Sequence, residues 1–395
     1  MNYNRLNFYT VFIFLIIFML GLWLAWHKPF WADEIYSQVY SIERPSYSQI
    51  LLGQINQGDD PPAVFGAMKE GNTFPLFYLT QKIICDITGH RTSSEWRERL
   101  HIIDRASQII LRIGPNVCMS LALAMIFYFF TRFYSSMAGF YAIVLSLSSY
   151  LVLAYWVESR PYSLWFLLTT LQSLLFIRLS QQKESAAPVL YWSLGTTHIL
   201  LSMTILFGIE QIIIVSALLW LLGMRDWKKY VCLTGIPLLI SIFYYVQSVH
   251  HKFFFDAFPL NLLIVSYSWE NFIVLFIYSL YFLFLGRQAK EHLKMFTGRD
   301  FFLLAGGMLL AAIFVLVLLK LKEIPHTGYP IWPRHFVYLS SISIILTTLI
   351  ASDIWKLLQN RPWIRFNWII TLIGLLMIQF LSSYIDILNN GIYLQ

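Results

Sequence analysis

Apolar runs long enough to cross a bilayer recur along almost the whole chain, and this repetition constrains the fold more than any motif does. They lie at Phe8 to Trp26, Ile113 to Phe130, Met137 to Tyr155, Tyr162 to Ile177, Ala187 to Phe207, Gln211 to Gly223 and Tyr230 to Val249. Four more follow at Asn271 to Leu285, Phe301 to Leu319, Phe336 to Ala351 and Trp368 to Ile387. A bilayer core offers no water to open backbone groups, so such runs must close their hydrogen bonds internally as helices. The expected fold is an all-α integral membrane protein of about eleven transmembrane helices in one domain, residues 1–395, without a separate soluble domain.

Composition agrees: 58% of the 395 residues are hydrophobic and only 12% are charged, more apolar surface than a water-soluble domain can cover. The formal charge of +7 does not point to nucleic acid, because the basic residues stand at span ends, where they report topology. With the amino terminus inside, thirteen basic residues, among them Arg132, Arg178, Lys229 and Lys356, fall in inside loops and five in outside loops. That imbalance follows the positive-inside rule.

The segment Phe74 to Ile87 is apolar but short, and Gln81, Lys82 and Asp86 interrupt it. It reads as an interfacial helix rather than a span. Residues 27–112 then form one long external first loop carrying interfacial helices. The first run follows Arg5 and lacks a small-x-small cleavage site, so an uncleaved first span is expected. Cys85, Cys118 and Cys232 have no metal-ligand spacing and read as packing residues.

The chemistry-bearing residues gather at the external ends of the spans. Trp31, Ala32, Asp33 and Glu34 place two carboxylates where the first helix leaves the membrane. Ionisable groups at that depth touch ions, substrates or protons more often than those far out in water. The tight connection Glu158, Ser159, Arg160, Pro161, Tyr162 holds a carboxylate and a guanidinium at the same face. The last external loop, from Lys320 to His335, is shaped by three prolines and a glycine and carries Tyr329, Arg334 and His335. Arg334 is a candidate for a phosphate at headgroup depth, because a guanidinium forks onto phosphate oxygens and stays charged.

Each of these has a plainer reading: a solvated helix exit for Asp33 and Glu34, mutual neutralisation for Glu158 and Arg160, a snorkelling anchor for Arg334. His250 and His251 are adjacent and do not converge on one ion, which leaves Lys252 as the phosphate candidate in that cluster. Asp59 and Asp60 sit in a turn and supply too few oxygens for calcium. No cofactor is expected with certainty, and no clear ligand set supports a divalent metal.

The ordered motifs resemble the C-type membrane glycosyltransferases that use polyprenyl-phosphate sugars, particularly the branch of protein O-mannosyltransferases and lipid A aminoarabinose transferases. The likeness rests on four points: Asp33 and Glu34 after the first span; Asn72 to Tyr78, with Pro75 and Leu76, in the first loop; Leu111, Arg112, Ile113, Gly114 and Pro115 at the second span; and Glu158 to Tyr162. The family's first-loop segment has two prolines where this chain has Pro75 alone, and Lys69 is the nearest base upstream.

The resemblance implies transfer of a sugar from a polyprenyl-phosphate donor to a glycan, lipid or protein hydroxyl, in a bacterial inner membrane with the site facing the periplasm or exterior. An acceptor hydroxyl needs a base within hydrogen-bond reach. Asp33 is the candidate base, with Glu34 and Glu158 as further catalytic carboxylates. Arg334, Arg160 and Lys252 are candidates for the donor phosphate, and Tyr162, His335 and Tyr329 for substrate binding. Two other readings use the same residues: a transporter or flippase of a lipid-linked sugar, and a glycan polymerase or ligase with a lipid diphosphate donor.

Overall fold

The computed structural model describes residues 3–28, 34, 38, 42, 46–52, 74–90, 105–182, 187–223, 227–247, 253–254, 299–321, 329–330 and 337–357. The spans expected at Asn271 to Leu285 and Trp368 to Ile387 lie outside the described residues. What is described is helical apart from one parallel pairing of two-residue strands, β1 (Phe253–Phe254) with β2 (Tyr329–Pro330). The chain is an all-α integral membrane protein.

Helix α1 spans Tyr3–His27, and two short helices of the first loop follow, α2 (Tyr47–Leu51) and α3 (Pro75–Thr88). Next come α4 (Arg105–Phe133), α5 (Ser136–Ser148), α6 (Tyr150–Tyr155) and α7 (Tyr162–Gln182). They are followed by α8 (Pro188–Ser202), α9 (Gly208–Leu221) and α10 (Trp227–Tyr230), which runs through a π-helical turn at Val231–Gly235 into α11 (Ile236–Gln247). Helices α12 (Arg299–Leu321) and α13 (Val337–Leu357) complete the described set.

Two boundaries differ from those expected. The run expected from Met137 to Tyr155 is broken at Ser149, whose backbone is extended between α5 and α6. No proline causes the break. Ser146 and Ser148 turn their hydroxyls back onto the carbonyls of Ala142 and Leu145, at 2.7 and 2.9 Å, and such back-bonding bends helices. The second span, expected from Ile113, belongs to a helix that begins at Arg105. The polar turns before Ile113 extend it toward the first loop, and they carry Arg112 into a buried position.

Helix α4 is the hub, packed by α1, α3, α5 and α7. Close approach to α1 depends on Gly21: a β-carbon there would lie 1.8 Å from Asn116 Oδ1. Asn116 donates to the carbonyl of Phe18 at 3.0 Å and accepts from Trp156 Nε1 at 3.0 Å, so one buried amide joins α1, α4 and the connection after α6. Pro115 inside α4 has no N–H to give the carbonyl of Leu111. Gln81 Nε2 of α3 donates to that carbonyl instead. Gly114 leaves room for it, since a β-carbon there would stand 3.0 Å from Gln81 Oε1 and 2.9 Å from Ile84 Cδ1. The stretch Leu111 to Pro115 is thus a docking face for the first-loop helix.

At the end of the bundle holding the amino terminus, cations lie over aromatic rings: Arg132 on Tyr3, Arg178 on Phe133, Lys229 on Tyr191 and Lys356 on Tyr134. Cations over ring faces are attracted by the ring quadrupole. These four are among the residues that the loop count places inside. The opposite end holds Glu34 and Glu158, paired with Arg112 and Lys28.

Candidate functional site

The site is built on a closed ring of buried charges. Arg112 is fully buried and grips Glu34 with both arms of its fork, Nε to Oε1 at 3.1 Å and Nη2 to Oε2 at 2.7 Å. Its Nη1 donates to the carbonyls of Lys28 at 2.6 Å and Ala25 at 3.2 Å, tying the end of α1 to α4. Glu34 Oε1 also accepts from the backbone N–H of Ser159 at 2.6 Å. The acid of the first loop is therefore fastened to the Glu158 to Tyr162 connection.

Lys28 closes the ring from the other side. Its ammonium meets Glu158 Oε1 at 2.8 Å, with both side chains buried, and also donates to the carbonyl of Ala154. Burial pulls Lys28 below the usual lysine value, while Glu158 and then Glu34 oppose that shift and Arg112 adds to it. Two cations and two anions sit together out of water. A charge in low dielectric is tolerated only when it is paired and hydrogen-bonded, as each of these is.

The connection carrying Glu158 is held at further points. Ser159 Oγ accepts from Gln81 Nε2 at 3.2 Å, and Ser163 Oγ donates to the carbonyl of Trp156 at 2.5 Å. The backbone N–H of Arg160 donates to the Glu158 carbonyl at 2.7 Å. Arg160 and Tyr162 are both buried beside it, with the Tyr162 ring edge-on to Tyr155 at 5.3 Å. Two side chains of the first loop, Glu34 and Gln81, thus meet on Ser159.

Of the residues singled out from sequence, the structure brings Glu34, Glu158, Arg160 and Tyr162 to one end of the bundle. Asp33, Lys252, Arg334 and His335 lie outside the described residues, and Tyr329 is described by its backbone alone. The β1–β2 pairing does set Phe253, next to Lys252 in the chain, against Tyr329. Sequence reasoning assigned no role to Lys28 and quoted Arg112 only as part of a motif. The signal available was positional: a base directly after one apolar run and another directly before the next, with acids close by in the chain. Among the described residues, no three His, Cys, Asp or Glu side chains gather to hold a metal ion.

No family model and no curated protein matches this sequence. Among solved structures, the chain is similar to ArnT from Cupriavidus metallidurans, crystallised bound to undecaprenyl phosphate. The TM-score is 0.54 at 13% identity, over 88% of this chain. The chain spans 60% of the length of that structure. The fold is therefore similar to that of ArnT.

Proposed function

We propose that the protein transfers a sugar from a polyprenyl-phosphate carrier to an acceptor hydroxyl at the end of the bundle where Glu34, Arg112, Lys28 and Glu158 meet. The observation that carries this reading is the buried charge ring, which fastens the covalent neighbour of Asp33 in a fold shared with a protein that binds undecaprenyl phosphate. In the proposed step the acceptor oxygen attacks the anomeric carbon while the carbon–oxygen bond to the lipid phosphate breaks. The hydroxyl proton passes to the Asp33 carboxylate, and the lipid phosphate leaves with the bonding pair. One displacement of this kind inverts the anomeric carbon.

The roles divide by exposure. Glu34 has both oxygens occupied by Arg112 and Ser159 and is out of water, so it positions the chain rather than exchanging protons. Glu158 is held by Lys28 and positions the connection that carries Arg160. Arg160, Arg334 and Lys252 are assigned to the phosphate, whose growing negative charge needs fixed cations as it departs. Tyr162, Tyr329 and His335 are assigned to substrate contacts.

The test uses purified protein with undecaprenyl phosphate bearing tritiated sugars, plus a membrane extract as the source of acceptor. Label should leave the carrier with the wild type and stay on it with Asp33→Asn. Label that stays on the carrier with the wild type across common hexoses and pentoses overturns the reading. Retained anomeric configuration in the product overturns the single displacement.

A further inference from the structure

Away from the charge ring, a second polar cluster lies between α7, α9 and α13, and the proposed roles do not use it. Trp165 is fully buried, its ring stacked on Tyr338 at 4.9 Å and on Phe207 at 6.1 Å. The indole Nε1 has no partner among the described residues. Glu210 accepts from the Tyr338 hydroxyl through Oε1 at 3.3 Å, while its Oε2 has no partner among the described residues. Gln211, fully buried, accepts from Thr169 through Oε1 at 3.1 Å, while its Nε2 likewise has none among them. Thr169 stands one helical turn from Trp165, and Tyr338 touches both Trp165 and Glu210. Trp165 and Glu210 thus share Tyr338, and Gln211 follows Glu210 directly in α9.

Buried polar atoms are almost always satisfied, so two N–H donors and one carboxylate oxygen left open together call for a guest. None of the three groups is a cation, which a phosphate calls for. The set suits hydroxyls, each of which donates once to the carboxylate and accepts from an N–H. Aromatic walls with a few convergent polar groups are the usual make-up of a small-molecule site. Position agrees as well. Trp165 donates its backbone N–H to Pro161, one turn below the connection that carries Glu158 and Arg160. Nearby in the chain, the carbonyls of Thr204 and Met203 accept from the backbone N–H groups of Phe74 and Leu76 at the start of α3.

We propose that Trp165, Glu210 and Gln211 form a subsite for the hydroxyls of the sugar ring, separate from the groups that take the phosphate. This rests on the glycosyltransferase reading and adds to it the residues that tell a sugar-bearing carrier from a bare one. Trp165→Phe removes the N–H and keeps the ring stack; Glu210→Gln keeps the shape and the Tyr338 contact.

The experiment measures binding to purified full-length protein in detergent. The probes are undecaprenyl phosphate alone and the same lipid carrying glucose, mannose, galactose, arabinose or N-acetylglucosamine. At least one sugar-bearing lipid should bind the wild type more tightly than the bare lipid, and each variant should lose about tenfold for that lipid, the worth of one or two hydrogen bonds. Binding of bare undecaprenyl phosphate should not change. Variants that hold the sugar-bearing lipid as tightly as the wild type overturn the subsite and leave the cluster to water. Variants that lose both lipids equally overturn it too, by making the cluster a structural support. A wild type that binds neither lipid overturns the glycosyltransferase reading along with the subsite.

Discussion

Arg112 holds Glu34 across 78 residues of sequence by two parallel hydrogen bonds of 3.1 and 2.7 Å, with neither side chain exposed. The pair does for the first loop what a disulfide does in secreted proteins, fixing a long excursion at its root. Removing one partner leaves the other charge buried and alone. Arg112→Ala or Glu34→Ala should each cost about 3–5 kcal/mol, read as a large fall in the unfolding temperature of purified protein. Arg112→Lys should recover little of it, because an ammonium cannot fork onto both oxygens. The double variant Arg112→Met with Glu34→Leu should be less damaged than either alanine variant, since no buried charge is orphaned. Equal or greater loss in the double variant would show that the fork is not what stabilises the loop root.

Gln81 serves the Leu111 oxygen that Pro115 leaves without a helical donor. Gln81→Ala should therefore cost about 1–3 kcal/mol, the penalty of an unserved buried acceptor. Replacing Pro115 by alanine in that background restores an N–H at the right place, and the double variant should unfold at a higher temperature than Gln81→Ala alone. If it does not, the two residues do not share that carbonyl.

These relationships mark where the sequence was legible and where it was not. The apolar runs at Phe8 to Trp26 and Phe301 to Leu319 agree with α1 and α12 within a few residues, because about twenty apolar side chains in a row leave a membrane-spanning backbone one option. Clustering of Glu34, Glu158 and Arg160 could be anticipated from alternating span direction alone. Lys28 with Glu158 could not, since 130 residues separate them and no periodicity records such a contact. The break at Ser149 was hidden for a different reason. Ser146, Ser148 and Ser149 sit within an otherwise apolar run, and hydroxyls folded back on the helix leave no trace in hydropathy.

Gly21 offers a stricter test of packing. Gly21→Ala drives a methyl into Asn116 Oδ1, an atom already committed to Trp156. The amide cannot move aside without giving up its bonds to Trp156 and Phe18, so α1 must shift. We expect a loss of about 1–3 kcal/mol from overpacking. Adding Asn116→Ala should not restore full stability, because Trp156 Nε1 then lacks its acceptor. The unfolding temperatures of the three variants decide this, and a wild-type value for Gly21→Ala would mean that α1 and α4 lie farther apart.

Asp33 and Glu34 are neighbours in sequence, and the proposed mechanism separates them by function. Glu34 lies inside the protein with its oxygens taken, so its loss should be read first in stability. Asp33 is the proposed base, so Asp33→Asn should leave the unfolding temperature within about 1 °C of wild type and lower transfer by about 100- to 10,000-fold, the usual worth of a positioned base. Glu34→Gln should lower the unfolding temperature, and the activity it retains, measured at a temperature where it is folded, should exceed that of Asp33→Asn. Transfer assays and thermal unfolding on the same two preparations separate the outcomes. If Glu34→Gln is the more stable and the less active of the two, the base is Glu34, and the buried fork with Arg112 must open during turnover.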